Sequence, residues 1–210
     1  MDKQQIENLV LENFKSIGNV QIHVDDDGVV NVSGGIQMRN KHIHEIPVQF
    51  GTVTGRFEVT SMNITTLKGC PRVVMGTFSC AGCDLTSLEG GPEQVHGFYA
   101  CNYNRLTNLV GLATQVGRQL DVTHNPLRSL DGLTAGVNNI IVNYDANLPL
   151  LRLLDLPGGF QIPHLDQAPW DRSEHPWEQI LAPHAGEGKP GAIKAAAELI
   201  RAGYKGNARW

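Results

Sequence analysis

The chain has 210 residues, with 17 lysines and arginines against 21 acidic residues, and is long enough for one well-buried core with a small appendage at each end. A net charge of -4 gives no electrostatic footprint for nucleic acid or an anionic membrane, and no run approaches the ~20 apolar residues of a membrane span. The opening residues Met1-Asp2-Lys3-Gln4-Gln5 lack the charged-then-apolar form of a signal peptide. A cytoplasmic location is therefore expected, in which Cys70, Cys80, Cys83 and Cys101 would stay reduced.

Residues 2 to 16 read as an amphipathic helix, with Ile6, Leu9, Val10, Phe14 and Ile17 at helical spacing, Asp2 as N-cap and Gly18 as the stop. Val20, Ile22 and Val24 then alternate into Asp25-Asp26-Asp27-Gly28 and Val29-Val30, the pattern of a short hairpin. The aspartates lack the spaced ligands and terminal glutamate of a calcium loop. Residues 1–31 would thus cap an open edge of the body that follows.

From residue 32 to 152 the chain repeats every 21 positions, in about six units. Val32, Val53, Val74, Val95, Val116 and Val137 form one ladder. Ile43, Ile64, Leu85, Leu106, Leu127 and Leu148 form a second; Ile46, Leu67, Leu88, Leu109, Leu130 and Leu151 form a third. The fourth carries the largest side chains: Ile36, Phe57, Phe78, Tyr99, Leu120 and Ile141. Gly34, Gly55, Gly76 and Gly97 sit where each unit enters a strand, and period-two alternation follows, as in Phe57-Glu58-Val59. A second glycine series, Gly69, Gly90, Gly111 and Gly132, with Pro71 and Pro92 beyond it, leaves no room for a long return helix. One unit cannot bury its own apolar side, so the units must stack, with parallel strands side by side. The expected fold is α+β: a solenoid with a parallel β-sheet, an N-terminal helical cap and a C-terminal helical segment.

Beyond Leu154 the ladders stop. Residues 155 to 175 read as an irregular connection, Trp177 to Leu181 as one helical turn, and residues 190 to 202 as a helix burying Ile193, Ala196, Ala197 and Ile200. Trp210 is either a docking anchor or loose.

The repeat resembles the leucine-rich repeat, L-x-L-x-x-N/C-x-L. Leu120-Asp121-Val122-Thr123-His124-Asn125-Pro126-Leu127 follows that pattern, and Phe78 to Leu85 follows it with Cys83 in the asparagine slot. Tyr99, Cys101, Asn104 and Leu106 repeat it. The slot departs from the pattern at Lys41, Met62 and Ala146, where irregular units are expected. The phrase LTSLEGGP and the ending GAIKAAAELIRAGYKGNARW resemble short-repeat proteins of tailed bacteriophages. The resemblance implies binding of a protein partner through the exposed strand face, in a host cytoplasm.

Catalytic chemistry is sparse. Cys80-Ala81-Gly82-Cys83 has zinc-knuckle spacing, and Cys70 and Cys101 would complete four thiolates of a zinc-dependent enzyme. Yet Cys80 and Cys101 also stack in the repeat as small core residues, and Cys83 fills a repeat slot. His42 and His44 flank an inward Ile43, and Gly186 to Pro190 lacks the serine or threonine of a phosphate loop. No catalytic residue, cofactor or metal ligand is expected.

Strand alternation aims three columns outward. The candidate partner-binding residues on them are Arg39, Arg56, Glu58, Phe98, Asn102, Gln119, Asp121, Thr123 and Tyr144. Ile140 and Val142 join them unless the alternation slips by one in unit six, and the C-terminal segment competes for Ile140, Val142 and Tyr144. The expected function is a protein-binding module, with a self-associating virion component as the alternative.

Overall fold

The computed structural model describes residues 1–146, 148–162, 176–185 and 187–210. Helix α1 (Lys3–Asn13) opens with a capping box: the Asp2 carboxylate accepts from the Gln5 amide at 2.8 Å, and the Gln5 side chain accepts from the Asp2 amide at 3.0 Å. Ile6 and Val10 are its buried apolar residues, and Asn13 is buried at its end. The helix ends three residues short of the sequence expectation. Phe14 is its C-cap and the first residue of strand β1 (Phe14–Val24), because its ring fits edge-on against Phe50 at 5.2 Å and beside Phe57 at 5.8 Å. Ile17 therefore lies in the strand, and Gly18, at φ +80°, marks a bulge rather than a helix stop.

β1 pairs antiparallel with β2 (Val30–Met38) across the expected turn. The Asp25 carboxylate closes that turn by accepting from the amides of Asp27 and Val29 at 3.0 and 2.9 Å. β2 belongs to both cap and solenoid, since its other edge carries the first parallel pairings. Each of the next three units gives two short strands with a bend between. β3 (Phe50–Val53), β5 (Val73–Val74) and β7 (Gln94–Val95) form one column; β4 (Phe57–Glu58), β6 (Phe78–Ser79) and β8 (Tyr99–Ala100) form the other. β2 starts both columns, and β9 (Gln115–Asp121) closes both. β10 (Val137–Ile141) and β11 (Phe160–Gln161) continue in parallel beyond β9. The result is a parallel β-solenoid of about six turns, as the 21-residue period requires.

The bends explain the first glycine series. Gly55, Gly76 and Gly97 each donate to the glycine one turn earlier at 2.9, 3.1 and 3.1 Å. A Cβ on Gly76 would lie 2.5 Å from the Gly55 carbonyl oxygen, so the constraint is close backbone approach rather than dihedral freedom.

Inside, the valine, leucine and aromatic ladders are buried, apart from half-buried Ile43 in the first unit, and the large rings run Phe50, Phe57, Phe78, Tyr99 with centroids 4.8 to 6.0 Å apart. The asparagine slot is the polar complement of this core. The Asn104 Oδ1 accepts from the amides of Cys83 and Leu85 at 3.0 and 2.9 Å, while Nδ2 donates to the carbonyls of Cys80 and Cys101 at 3.0 and 2.9 Å. Asn125 repeats three of these bonds one turn on, and Cys83 does part of the same work by donating its thiol to the Val59 carbonyl at 2.9 Å. Buried turn backbone must find such partners.

Unit six breaks the register. Val137 pairs with Val116, 21 positions away, but Ile140 pairs with Leu120 and Ile141 with Asp121, each 20 away. The turn is one residue shorter between Val137 and Asn139. Ile140, not Ile141, therefore completes the large-residue ladder, and Val142 is buried with it; both point inward, as the slipped alternation requires. The same 20-residue step seats Phe160 beside Ile140 in β11, a partial seventh turn that the sequence pattern did not show.

A 3-10 helix (Leu150–Asp155) follows the last full turn. Of the expected irregular connection, residues 163–175 lie outside the described residues. Helix α2 (Pro176–Leu181) runs into a 3-10 turn, and α3 (Gly188–Arg201) packs on the end of the solenoid. α3 buries Ala192, Ala195 and Leu199, and Ile193 (72% exposed) and Ile200 face outward, which reverses the expected stripe. Small alanines let the helix axis approach closely, and an Ile-lined face would hold it off.

Asn104→Ala should lower the unfolding free energy by about 2–4 kcal/mol, because the Cys83 and Leu85 amides and the Cys80 carbonyl lose their partner, while the Cys101 carbonyl keeps Asn125. Urea unfolding with an unchanged slope would register it as a lower midpoint, and a midpoint near wild type would remove the slot from the account. Tyr99→Phe should act in the opposite direction. The Tyr99 hydroxyl is fully buried with no hydrogen-bond partner among the described residues, so its removal should raise stability by about 1 kcal/mol, read as a higher Tm.

Candidate functional site

The outward face of the second strand column and the turn after it carry the side chains that core packing does not explain. Phe98 stands at the bend before β8 and is 42% exposed. The Arg118 guanidinium lies over its ring, 5.5 Å from the centroid, one turn on. Arg56 and Glu58 pair at 3.0 Å, Gln119 donates to the Asn139 side chain at 2.8 Å, and Asn102 is half-buried nearby in sequence. These expected residues remain on one face, with Asp121 half-buried beside them.

Three expected residues do other work. Arg39 is exposed, but its guanidinium donates to the Leu11 and Glu12 carbonyls at 2.6 and 2.9 Å, closing the C-terminus of α1. Carbonyls left over at a helix end attract a cation, so Arg39 is a structural clamp. Thr123 is only 7% exposed, and its hydroxyl donates to Asp121 at 2.7 Å. Tyr144 is enlisted by the C-terminal segment. Its ring stacks on buried Trp177 at 5.4 Å and 3°, and its hydroxyl donates to Asn207 at 3.1 Å. Asn207 in turn donates to the carbonyls of Asp145 and Leu148 at 2.9 and 2.8 Å, so Tyr144 anchors the segment that covers unit six.

Two residues outside the expected columns stand exposed in the turns that follow the strands. Tyr103 is 58% exposed, and its ring lies flat on the exposed His124 ring, with centroids 3.9 Å apart and planes 10° apart. Both occupy the left-handed region at φ +55°, as does Ser61 at +54° and Gly82 at +67°, all 21 positions apart. That backbone turns the side chain out of the strand alternation, so a period-two reading misassigns the column. The 21-residue spacing itself was visible in the sequence and would have aligned the two rings.

The cysteines lie apart from this face. All four are free and buried, and burial pushes the thiols of Cys70, Cys80 and Cys101 well above the ordinary range. Cys83 is also raised by burial, though its contacts with the backbone of Ser61 and Met62 oppose the shift. No group of three His, Cys, Asp or Glu among the described residues is arranged to hold a metal. His44 is tied to the Asn63 carbonyl at 2.9 Å.

Fold and face together define a short-repeat parallel β-solenoid with a polar and aromatic strand-side surface. Comparison with family models, with curated proteins and with solved structures finds no match for this chain. No helix among the described residues is long and apolar enough to cross a membrane.

A thiol reagent such as Ellman's should find almost no fast-reacting cysteine in the folded protein and four after denaturation. Rapid reaction of even one thiol under native conditions would contradict the burial described above.

Proposed function

We propose that this protein is a leucine-rich-repeat-like binding module that engages a protein partner through the face bearing Phe98, Arg118, Tyr103 and His124. The observation that carries the reading is the display of two aromatic groups, each held by a neighbouring turn, on a rigid stack of strands. Exposed aromatics and arginines set in polar surroundings are the side chains that concentrate binding energy in protein interfaces. Arg56, Glu58, Asn102, Gln119 and Asp121 supply the polar rim. The net charge of -4, with Arg56 and Arg105 in ion pairs, argues against nucleic acid. The resemblance to short-repeat proteins of tailed bacteriophages supports a phage-encoded protein in the host cytoplasm, acting on a host or defence protein.

Self-association, as in a virion component, is favoured by one separate observation: Ile193 and Ile200 stand exposed on α3. That reading uses a different surface, so one experiment separates the two. Tagged wild type and a Phe98→Asp, Tyr103→Asp variant, both shown to be folded by circular dichroism, are used to capture proteins from host lysate. A host protein retained by wild type and lost at least tenfold by the variant supports the module. Equal retention removes this face from the proposal. If nothing but the chain itself is retained, and sedimentation shows a concentration-dependent oligomer, self-association replaces it.

A further inference from the structure

The Tyr103–His124 stack has an open end. Ser61, Gly82, Tyr103 and His124 occupy successive turns with the same left-handed backbone. Their amides link the turns: Ser61 donates to Ala81 at 2.8 Å, Gly82 to Asn102 at 3.0 Å and Tyr103 to Thr123 at 3.0 Å. The backbone thus runs through Gly82 without a break. One face of the Tyr103 ring is covered by His124, one turn on in the solenoid. On the side away from His124 the equivalent position one turn earlier is Gly82, which has no side chain to lay on the ring.

Space, not strain, distinguishes this glycine from those at the bends. A Cβ on Gly82 would meet Ser61 Oγ at 3.4 Å and nothing else closer than 3.8 Å, whereas one on Gly76 would meet backbone at 2.5 Å. Ser61, Tyr103 and His124 show that this turn accepts a side chain at φ near +55°. The gap from Tyr103 to Ser61 spans two turns, about 10 Å, which is room for one further flat ring.

We propose that this gap is a slot for a single aromatic side chain of the protein partner, stacked on Tyr103 over Gly82. The inference rests on the protein-binding reading and names the chemistry of the partner's anchor. A neutral ring suits the slot because the nearby cation is committed: Arg105 pairs with Asp84 at 2.9 Å. A nucleotide would bring its phosphate to an arginine already engaged, and a guanidinium would find Asp84 already paired. Stacking on an exposed ring face is the usual way an aromatic anchor is seated.

The test follows the Tyr103 ring signals by NMR in the full chain, titrated separately with N-acetyl-tryptophanamide, N-acetyl-leucinamide and adenosine monophosphate. The tryptophan amide should give a saturable upfield ring-current shift at Tyr103, the leucine amide and the nucleotide none. Gly82→His should extend the column by one ring, stay folded and lose the response; Tyr144 ring signals serve as the internal control. Should Gly82→His not fold, Gly82→Ser, which repeats the residue type of Ser61 one turn earlier, should retain the response and Gly82→Leu should lose it. An unchanged shift in the filled variant, an equal response to the leucine amide, a response to the nucleotide alone, or no response at all would each overturn the slot. Failure here with Phe98 and Tyr103 still required for partner capture would strike the slot and leave the binding face standing.

Discussion

Successive turns of this protein hydrogen-bond to one another at the strands, at the bends and at the turns that follow, and the rest of the structure follows from that closeness. At the bends between the paired short strands it admits only glycine, because a Cβ on Gly76 or Gly55 would enter the backbone of the turn before, and where β9 runs on without a bend Arg118 takes the equivalent position. At the turns it strands backbone amides and carbonyls inside the core, where Asn104, Asn125 and Cys83 must satisfy them. Between these two points it stacks like on like, so that Phe57 lies on Phe78 and Phe78 on Tyr99. A repeat is the sequence's answer to a spatial requirement that recurs every turn.

The same constraint shapes the surface. A side chain outside the sheet has its counterpart one turn away, so exposed groups meet in pairs along the axis: Phe98 with Arg118, Tyr103 with His124, Asp84 with Arg105. Each pair holds its members in place, which limits the side-chain freedom of this surface. The ends of the stack lack a neighbouring turn and are closed by other means. At the N-terminal end α1 and β1 cover the first turn, with Arg39 tying helix to sheet. At the other end the C-terminal segment covers unit six through Tyr144, Trp177 and Asn207.

Where the sequence pattern misled, two local solutions were equally apolar. Ile140 and Ile141 are adjacent isoleucines, and nothing in their own chemistry says which faces the core; a turn one residue short decides it. On α3 both the Ile193–Ile200 stripe and the Ala192–Ala195–Leu199 stripe satisfy helical periodicity, and close approach to the solenoid selects the alanines. Phe14 has helical spacing with Val10, but its contacts with Phe50 and Phe57 lie in the sheet. Of the candidate surface, Phe98, Arg56, Glu58, Asn102, Gln119 and Asp121 were legible from alternation. Arg39, Thr123 and Tyr144 were legible as outward but not as occupied, since their partners are far along the chain or hidden by a local bond.

By itself the sequence determined the period, the inward ladders through unit five, the recurrence of the close-packed glycines and the asparagine slot, because each recurs at a fixed interval and needs only the neighbouring turn to explain it. The tertiary structure alone decided the register of unit six, the buried side of α3, the clamp role of Arg39 and the docking role of Tyr144. It also decided that Tyr103 and His124 stack. Those outcomes depend on contacts such as Tyr144 with Asn207, 63 positions apart, and on a left-handed turn that redirects side chains out of the strand pattern. A repeating pattern encodes what every turn shares; where one turn differs or an end must be closed, the packing decides.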